Sequence, residues 1–155
     1  MRAGNVAVSG RLEAARRLCL ETGERLSPGR LRTLELVLMA DGPVKAYDLA
    51  RRFHADGPAS VITIYRALSF WARMGVVRKV ETLNAFIAVA LPGETSAFLL
   101  CGACGRTEEV MIDVTEEVGA VARAVGFQLG RLTLEAGGRC RDCSRRRLVV
   151  AEPEA

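Results

Sequence analysis

The chain has 155 residues, a formal net charge of +4 and one histidine. This length suits one ordinary domain or two small lobes and excludes a large multidomain enzyme. Because 50% of the residues are apolar and 26% are charged, we expect a packed core rather than a disordered chain.

The two parts of the chain differ in charge. Residues 1–90 carry 14 basic and 8 acidic side chains, whereas residues 91–155 carry 8 and 10. The basic part is therefore the candidate for binding a polyanion such as nucleic acid.

Neither a membrane anchor nor an export signal is expected. The longest apolar run, Ala85–Leu91, is far shorter than the roughly 20 residues that span a bilayer, and residues 1–10 lack the apolar segment of a signal peptide. We therefore expect a cytoplasmic protein, in which cysteines are more often metal ligands or buried thiols than disulfides.

Four helices are predicted in the first part of the chain. The first covers Arg11–Gly23, and the second begins at the capping residue Ser27 and ends before Asp41–Pro43. The third has its apolar residues on one face of segment 46–53. The fourth runs from about Ala59 to Met74 and ends in a glycine.

The fourth helix is the candidate recognition helix. Its predicted buried stripe consists of Val61, Ile64, Leu68 and Trp71, and the residues predicted to point elsewhere are Thr63, Arg66, Phe70 and Arg73. After Gly75 the β-rich segments Val76–Glu81 and Ala85–Leu91 predict a hairpin. Short helices followed by a hairpin are typical of the winged helix-turn-helix, whose last helix enters the major groove.

The sequence predicts an α+β fold with a winged-helix domain at residues 1–91, a hinge at 92–96 and a second domain at 97–155. In the second domain we expect strands at 98–101 and 107–112, then a helix and a last strand. The helix begins with a capping box formed by Asp113 and Glu116 and ends at Gly126. The last strand begins at Phe127 and contains a bulge at Gly130.

The predicted buried stripe of this helix consists of Val114, Val118, Val121 and Val125. The second domain has only about 60 residues. A core of that size is marginal alone and usually needs a metal or a partner subunit.

Two C-x-x-C pairs supply the strongest chemical signal. Cys101 and Cys104 form the first pair, and Cys140 and Cys143 form the second, with 35 residues between the pairs. Each pair places two sulfurs on a tight turn, and four thiolates leave no open coordination position. The pattern therefore predicts structural rather than catalytic zinc, one ion per monomer, with a helix and a strand folded inside the loop. Unrelated redox pairs, buried thiols and iron are the alternatives.

Several motifs, in order, resemble the ferric uptake regulator (Fur) superfamily. They are Ser27–Leu31, Ala46–Leu49 and Thr63–Leu68. The stretches Val80–Phe86 and Phe98–Gly105 are most similar to its zinc-uptake-regulator branch. The resemblance implies a winged helix, an α/β dimerisation domain and structural zinc. It also implies a homodimer that binds a palindromic operator in double-stranded DNA, usually as a repressor.

The resemblance also suggests which residues contact DNA. Similar members read bases with a Tyr–Arg pair that corresponds to Tyr65 and Arg66, with Tyr47 and Arg30 as further DNA-facing residues. Arginine can pair bidentately with guanine, and tyrosine can pack on a thymine methyl group. Candidates for holding phosphates are Lys45, Ser60 and Thr63.

The chain departs from the family at the hinge. Zinc-sensing members hold a second metal there with His, Cys, His and Glu, which correspond to Arg78, Val89, Glu94 and Glu109. Arginine and valine cannot ligate zinc, and Glu94 stands where a histidine is expected, so three of the four expected ligands are missing. High-affinity zinc sensing at this hinge is therefore not expected.

Three explanations stay open. The hinge is held by packing or by an ion pair of Arg78 with Glu94 or Glu109, which makes DNA binding independent of metal. Alternatively, an oxygen-rich site senses another cation, or a partner, a ligand or oxidation of Cys19 controls the protein. The candidates for the oxygen-rich site are Glu81, Glu94, Glu109 and His54. The simplest expectations are surface exposure for His54 and core packing for Cys19.

One rival function belongs to another class. The chain would then be a zinc-containing protein-interaction module whose winged helix does not bind DNA. An enzyme is not expected, because no Gly-rich phosphate loop, Ser/His/Asp set or open zinc site is present in the sequence.

Overall fold

Two compact units make up the chain, residues 1–92 and residues 93–155. The computed structural model describes residues 3–54, 57–89, 96–130 and 132–149. Within these ranges, no helix is both long enough and apolar enough to cross a membrane.

The first unit consists of four helices followed by a hairpin. Its helices are α1 (Ala3–Glu21), α2 (Pro28–Leu38), α3 (Ala46–Arg51) and α4 (Val61–Arg73), and its strands are β1 (Val77–Val80) and β2 (Ala85–Ala88). The two strands are antiparallel with Val77 opposite Ala88, and an isolated bridge joins Val44 to Phe86. Helix α1 begins eight residues before the predicted Arg11, and the other predicted elements of this unit are present with shorter bounds. The predicted end of the second hairpin strand, residues 90–91, lies outside the described residues.

Local sequence signals set the ends of these helices. The hydroxyl of Ser27 accepts a hydrogen bond from the backbone N–H of Arg30 at 3.3 Å, which caps the start of α2. Gly75 has a φ of +70°, and the N–H of the next residue, Val76, donates to the carbonyl of Trp71. This is the glycine-terminated helix end that the sequence predicts for α4.

The core of the first unit lies between α2, α3 and α4. Leu34, Leu49, Leu68 and Trp71 have no exposed surface, and the indole N–H of Trp71 donates to the carbonyl of Arg30 at 2.7 Å. This bond ties α4 to the first turn of α2. The rigid packing of α4 fixes which of its side chains face outward.

The predicted outward position of Phe70 is wrong. Its side chain is only 1% exposed, because the guanidinium of Arg30 lies over the ring at 3.7 Å from its centroid. Helical periodicity along α4 alone does not reveal a covering residue that comes from α2.

The second unit is a three-stranded sheet with two helices. Its elements are β3 (Ser96–Cys101), β4 (Thr107–Met111), α5 (Thr115–Ala124), β5 (Leu134–Gly138) and α6 (Arg141–Val149). Strand β3 is central, antiparallel to β4 and parallel to β5. The helix and strand expected between the two cysteine pairs are thus α5 and β5.

Two predicted features at the end of this unit are wrong. The last strand begins at Leu134 rather than Phe127, and Gly130 lies in an irregular segment, so it forms no bulge in β5. Helix α6 was not predicted, because its arginine-rich sequence carries no apolar stripe.

The start and the faces of α5 also differ from the prediction. Asp113 accepts a hydrogen bond from the N–H of Thr115 at 3.0 Å, but Glu116 pairs with Arg123 instead of completing a capping box. Val121 is 68% exposed and Val125 is 76% exposed, so the predicted valine stripe is not buried within this unit. The buried residues of α5 are Gly119 and Ala122.

Candidate metal centre and nucleic-acid interface

The two cysteine pairs lie at the same edge of the sheet in the second unit. The first pair begins at the end of β3 and the second follows β5, and these parallel neighbours place Cys101 opposite Gly138. The N–H of Gly102 donates to the carbonyl of Gly138 at 2.9 Å, which joins the two turns. Parallel pairing therefore brings together cysteines that are far apart in sequence.

The four sulfurs fit a tetrahedral metal. All four Sγ atoms lie within 4.8 Å of one another, and the Sγ atoms of Cys104 and Cys140 are 3.7 Å apart. A tetrahedral zinc ion with Zn–S bonds of about 2.3 Å requires sulfur–sulfur distances of about 3.8 Å. The cluster matches this requirement and offers no position for a substrate.

Hydrogen bonds distinguish the four thiols. The N–H of Cys140 donates to the Sγ of Cys101 at 3.3 Å. Together with donation from the N–H groups of Ala103 and Cys104, this bond lowers the pKa of Cys101 to about 6. Hydrogen bonds to Cys140 and then to Cys104 raise the pKa of Cys143 to about 12. Four thiolates at these distances would repel one another, and a bound cation would supply the charge that offsets this repulsion.

An ion pair beside the cluster connects the two cysteine turns. A guanidinium nitrogen of Arg106, just after the first pair, lies 2.9 Å from a carboxylate oxygen of Asp142, which lies between the two cysteines of the second pair. The charge of Asp142 and its hydrogen bond raise the pKa of Arg106. Sequence patterns do not mark Arg106 or Asp142 as site residues, although each lies within two residues of a cysteine.

An outward-facing stripe on α4 forms the candidate nucleic-acid interface. Its exposed residues are Ile62, Thr63, Arg66, Ser69 and Arg73. The opposite side of the helix is fixed in the core by Ile64, Leu68 and Trp71. Arg66 has no ion-pair partner among the described residues, so its guanidinium is available to a ligand.

Three predicted DNA-contacting residues line one small cavity. Arg30, Thr63 and Arg66 border a volume of about 180 Å³ beside the first turn of α2. Arg30 is half-buried because its guanidinium stacks on Phe70 and donates to the carbonyl of Arg25. Its position is therefore set by packing as well as by the cavity.

The other predicted contact residues occupy separate positions. Ser60 is exposed immediately before α4, Lys45 is exposed immediately before α3, and Tyr47 is 65% exposed on α3. Tyr65 is half-buried, with its ring edge-on to Phe86 at 6.1 Å between centroids. Part of the tyrosine surface therefore packs against the hairpin.

The positions that correspond to the sensor site contain no described metal cluster. Val89 is 3% exposed, its N–H donates to the carbonyl of Val76 at 3.0 Å, and its carbonyl accepts from Arg11. Glu109 accepts a hydrogen bond from the hydroxyl of Ser96 at 2.7 Å. Glu94 lies outside the described residues. The ion pair of Arg78 with Glu94 or with Glu109 stays a prediction.

Glu81 and His54, the remaining candidates for an oxygen-rich site, do not belong to a group of ligand-type side chains among the described residues. Glu81 is exposed and pairs with Lys79, and His54 is exposed with its ring edge-on to Phe53. Across the part of the chain that the structure describes, the four cysteines are the one group of three or more ligand-type side chains close enough to share an ion. Cys19 is 1% exposed in the core of the first unit, and burial raises its pKa.

Comparison with known proteins identifies the family. Residues 21–136 match the model of the ferric uptake regulator family. The zinc uptake regulation protein of Escherichia coli (strain K12) is 36% identical over 137 residues, which cover 85% of this chain and 80% of that protein.

Solved structures of zinc uptake regulators are also similar to this chain. A zinc uptake regulator complexed with zinc and DNA has a TM-score of 0.84 at 34% identity, covering 91% of this chain and 97% of that one. The crystal structure of holo XcZur has a TM-score of 0.78 at 38% identity, with coverages of 86% and 96%. The chain therefore belongs to the ferric uptake regulator family, in its zinc-uptake-regulator branch.

Proposed function

We propose that this protein is a sequence-specific DNA-binding transcriptional repressor. It acts as a homodimer on a palindromic operator, with one structural zinc ion per monomer. The observation that carries this proposal is the exposed stripe of α4, where Arg66 has no ion-pair partner among the described residues while the other side of the helix is locked in the core.

The stripe has the chemistry that a recognition helix needs. A guanidinium can donate two hydrogen bonds to guanine O6 and N7, and hydroxyl groups such as those of Thr63 and Ser60 suit phosphate oxygens. A similar zinc uptake regulator has been solved in complex with DNA. The relative from Escherichia coli is named as a regulator, which supports regulation rather than catalysis.

Zinc in the cysteine cluster would have a structural role. Cys101, Cys104, Cys140 and Cys143 would supply all four ligands, and bound zinc would cross-link the ends of β3 and β5. The second unit needs such a cross-link, because Phe98 and Leu100 are its only large buried aliphatic or aromatic side chains among the described residues. A similar protein has been solved with zinc bound.

Exposed apolar side chains support dimerisation through the second unit. They are Leu99, Met111, Ile112, Val121, Val125 and Phe127, with exposed fractions between 41% and 76%. Large exposed apolar surfaces on soluble proteins mark protein interfaces. A two-fold axis would let the same surface cover itself and would present two copies of α4 to a palindrome.

We also propose that DNA binding does not depend on a metal at the hinge. Val89, which corresponds to the sensor cysteine, is buried and has both backbone groups hydrogen-bonded. Arg78, which corresponds to a sensor histidine, carries a positive charge that disfavours a cation. Packing rather than metal binding would then hold the DNA-competent arrangement.

One experiment tests the proposed function and its metal dependence together. Zinc content per monomer is measured before and after mild chelation, and the same samples are titrated with labelled genomic DNA fragments. We expect one zinc ion that resists chelation, retarded fragments with strongly salt-dependent affinity, and the same affinity before and after treatment.

Two results would contradict the proposal in different ways. A second, labile metal whose removal weakens DNA binding would restore a sensor site and overturn metal independence. Failure to retard any fragment while one zinc ion stays bound would favour the protein-interaction module.

A further inference from the structure

We infer that Ile62 determines specificity by contacting the C5 methyl group of a thymine in the operator. This inference rests on the proposed DNA-binding function and adds to it an apolar contact from the one aliphatic side chain of the exposed stripe.

Ile62 is an apolar residue on the exposed face of α4. Its side chain is 65% exposed in the first turn of α4, directly after Val61. All of α4 lies within the described residues, and Ile62 is the one apolar member of the exposed stripe. A single exposed aliphatic residue needs no explanation by itself, so the role of Ile62 depends on the residues beside it.

Arg66 is the neighbour of Ile62 on this surface. Residues four apart in a helix lie on the same face, with Cβ atoms about 5–6 Å apart. The first turn of a recognition helix is also the part that reaches base edges. A duplex that places a guanine against Arg66 therefore places an adjacent base pair within reach of Ile62.

The major groove presents one apolar group to such a side chain. Thymine carries a C5 methyl group, whereas the other base edges offer hydrogen-bond donors and acceptors. An isoleucine against a donor or acceptor would remove water from that polar group without replacing its hydrogen bond. A buried methyl–isoleucine contact is favourable, so Ile62 selects thymine at one position in each half-site.

Tyr65, the residue first expected to contact thymine, is less suited to this role. Its ring is half-buried and packs edge-on against Phe86 in the hairpin. Ile62, in contrast, is the most exposed apolar residue of α4.

The test replaces thymine by uracil, which removes only the methyl group. Duplexes that the wild-type protein prefers are first selected from a random library, and each thymine is then changed singly to deoxyuridine. Affinities are measured by fluorescence anisotropy for the wild type, Ile62→Ala and Ile62→Val. Leu20→Ala is the control, because Leu20 is an 81% exposed apolar residue on α1.

We expect uracil at one position per half-site to weaken wild-type binding about fourfold, the effect of one methyl-sized apolar group. Ile62→Ala should be insensitive to uracil at that position, Ile62→Val should retain part of the sensitivity, and Leu20→Ala should match the wild type. If Ile62→Ala keeps the wild-type response at every thymine, the inference is wrong although the proposed function stands. If the wild type selects no sequence, the proposed function fails and this inference fails with it.

Discussion

Arg66 and Phe70 are one turn apart on α4, yet one is exposed and the other is 1% exposed. Helical periodicity predicted both to point away from the core. The difference arises because Arg30 reaches from α2 and covers the phenylalanine ring. At the scale of single residues, the sequence therefore predicted the exposure of Arg66 but not the burial of Phe70.

Replacing Arg66 by alanine should weaken operator binding by about 1–3 kcal/mol, or about 5- to 150-fold, and should relax sequence preference. The reason is the loss of bidentate hydrogen bonds to a base. Anisotropy titrations against the preferred duplex and single-base variants of it measure both effects.

Arg123→Ala is the matched control, because it removes the same charge from an exposed position on α5 whose partner is Glu116. The melting temperatures of both variants should equal that of the wild type. Undiminished affinity and selectivity in Arg66→Ala would show that the recognition surface has been placed wrongly.

At the scale of secondary-structure elements, the order of the strands in the sheet brings the two cysteine pairs together. The C-x-x-C spacing predicted four ligands, but only the parallel pairing of β3 with β5 explains how their turns meet. The same pairing places the start of α6 beside the cluster, where Asp142 reaches Arg106. Helix α6 could not be predicted, because its sequence is mostly polar and shows no helical repeat of apolar residues.

Cys140→Ser should abolish tight zinc binding and unfold or monomerise the second unit. Three thiolates bind zinc less tightly than four, and the folding of a small unit with a thin core is coupled to metal binding. Zinc content, circular dichroism and light scattering after gel filtration measure the three consequences.

Cys19→Ala serves as the control for this substitution, since Cys19 lies in the core of the other unit. It should keep one zinc ion per monomer even if the substitution lowers the stability of that core. A Cys140→Ser protein that remained a folded dimer without metal would refute the structural-zinc assignment.

At the scale of the whole molecule, the exposed valines of the second unit bear on how two copies of the chain assemble. The valines in and beside α5 have the spacing of a buried stripe, but Val121 in the helix and Val125 directly after it are exposed within one copy of the chain. A stripe of this kind indicates burial without indicating whether the covering surface belongs to the same chain. We propose that the second subunit of the dimer covers the valines.

Val121→Asp should convert the dimer to a monomer and weaken operator binding about 100-fold or more, because two linked half-site contacts become one. A carboxylate in the interface would lose its hydration without gaining a partner. Analytical ultracentrifugation and operator titration measure the two effects.

Arg123→Ala is again a suitable control, because it changes the charge by the same amount about 200° around the helix from Val121. It should remain dimeric. A Val121→Asp protein that still sediments as a dimer would place the interface elsewhere.

The amino-acid sequence alone predicted the order of the first four helices and the hairpin, the four cysteines of the candidate metal site and, through the family resemblance, the loss of three expected sensor ligands at Arg78, Val89 and Glu94. These features depend on local signals, namely apolar periodicity, capping residues and ligand spacing. The tertiary structure alone decided that Phe70 is covered by Arg30, that β5 begins at Leu134 and that β5 pairs with β3, which brings the two cysteine pairs together. Such features depend on contacts between residues distant in the chain, and the pattern within one element does not specify them.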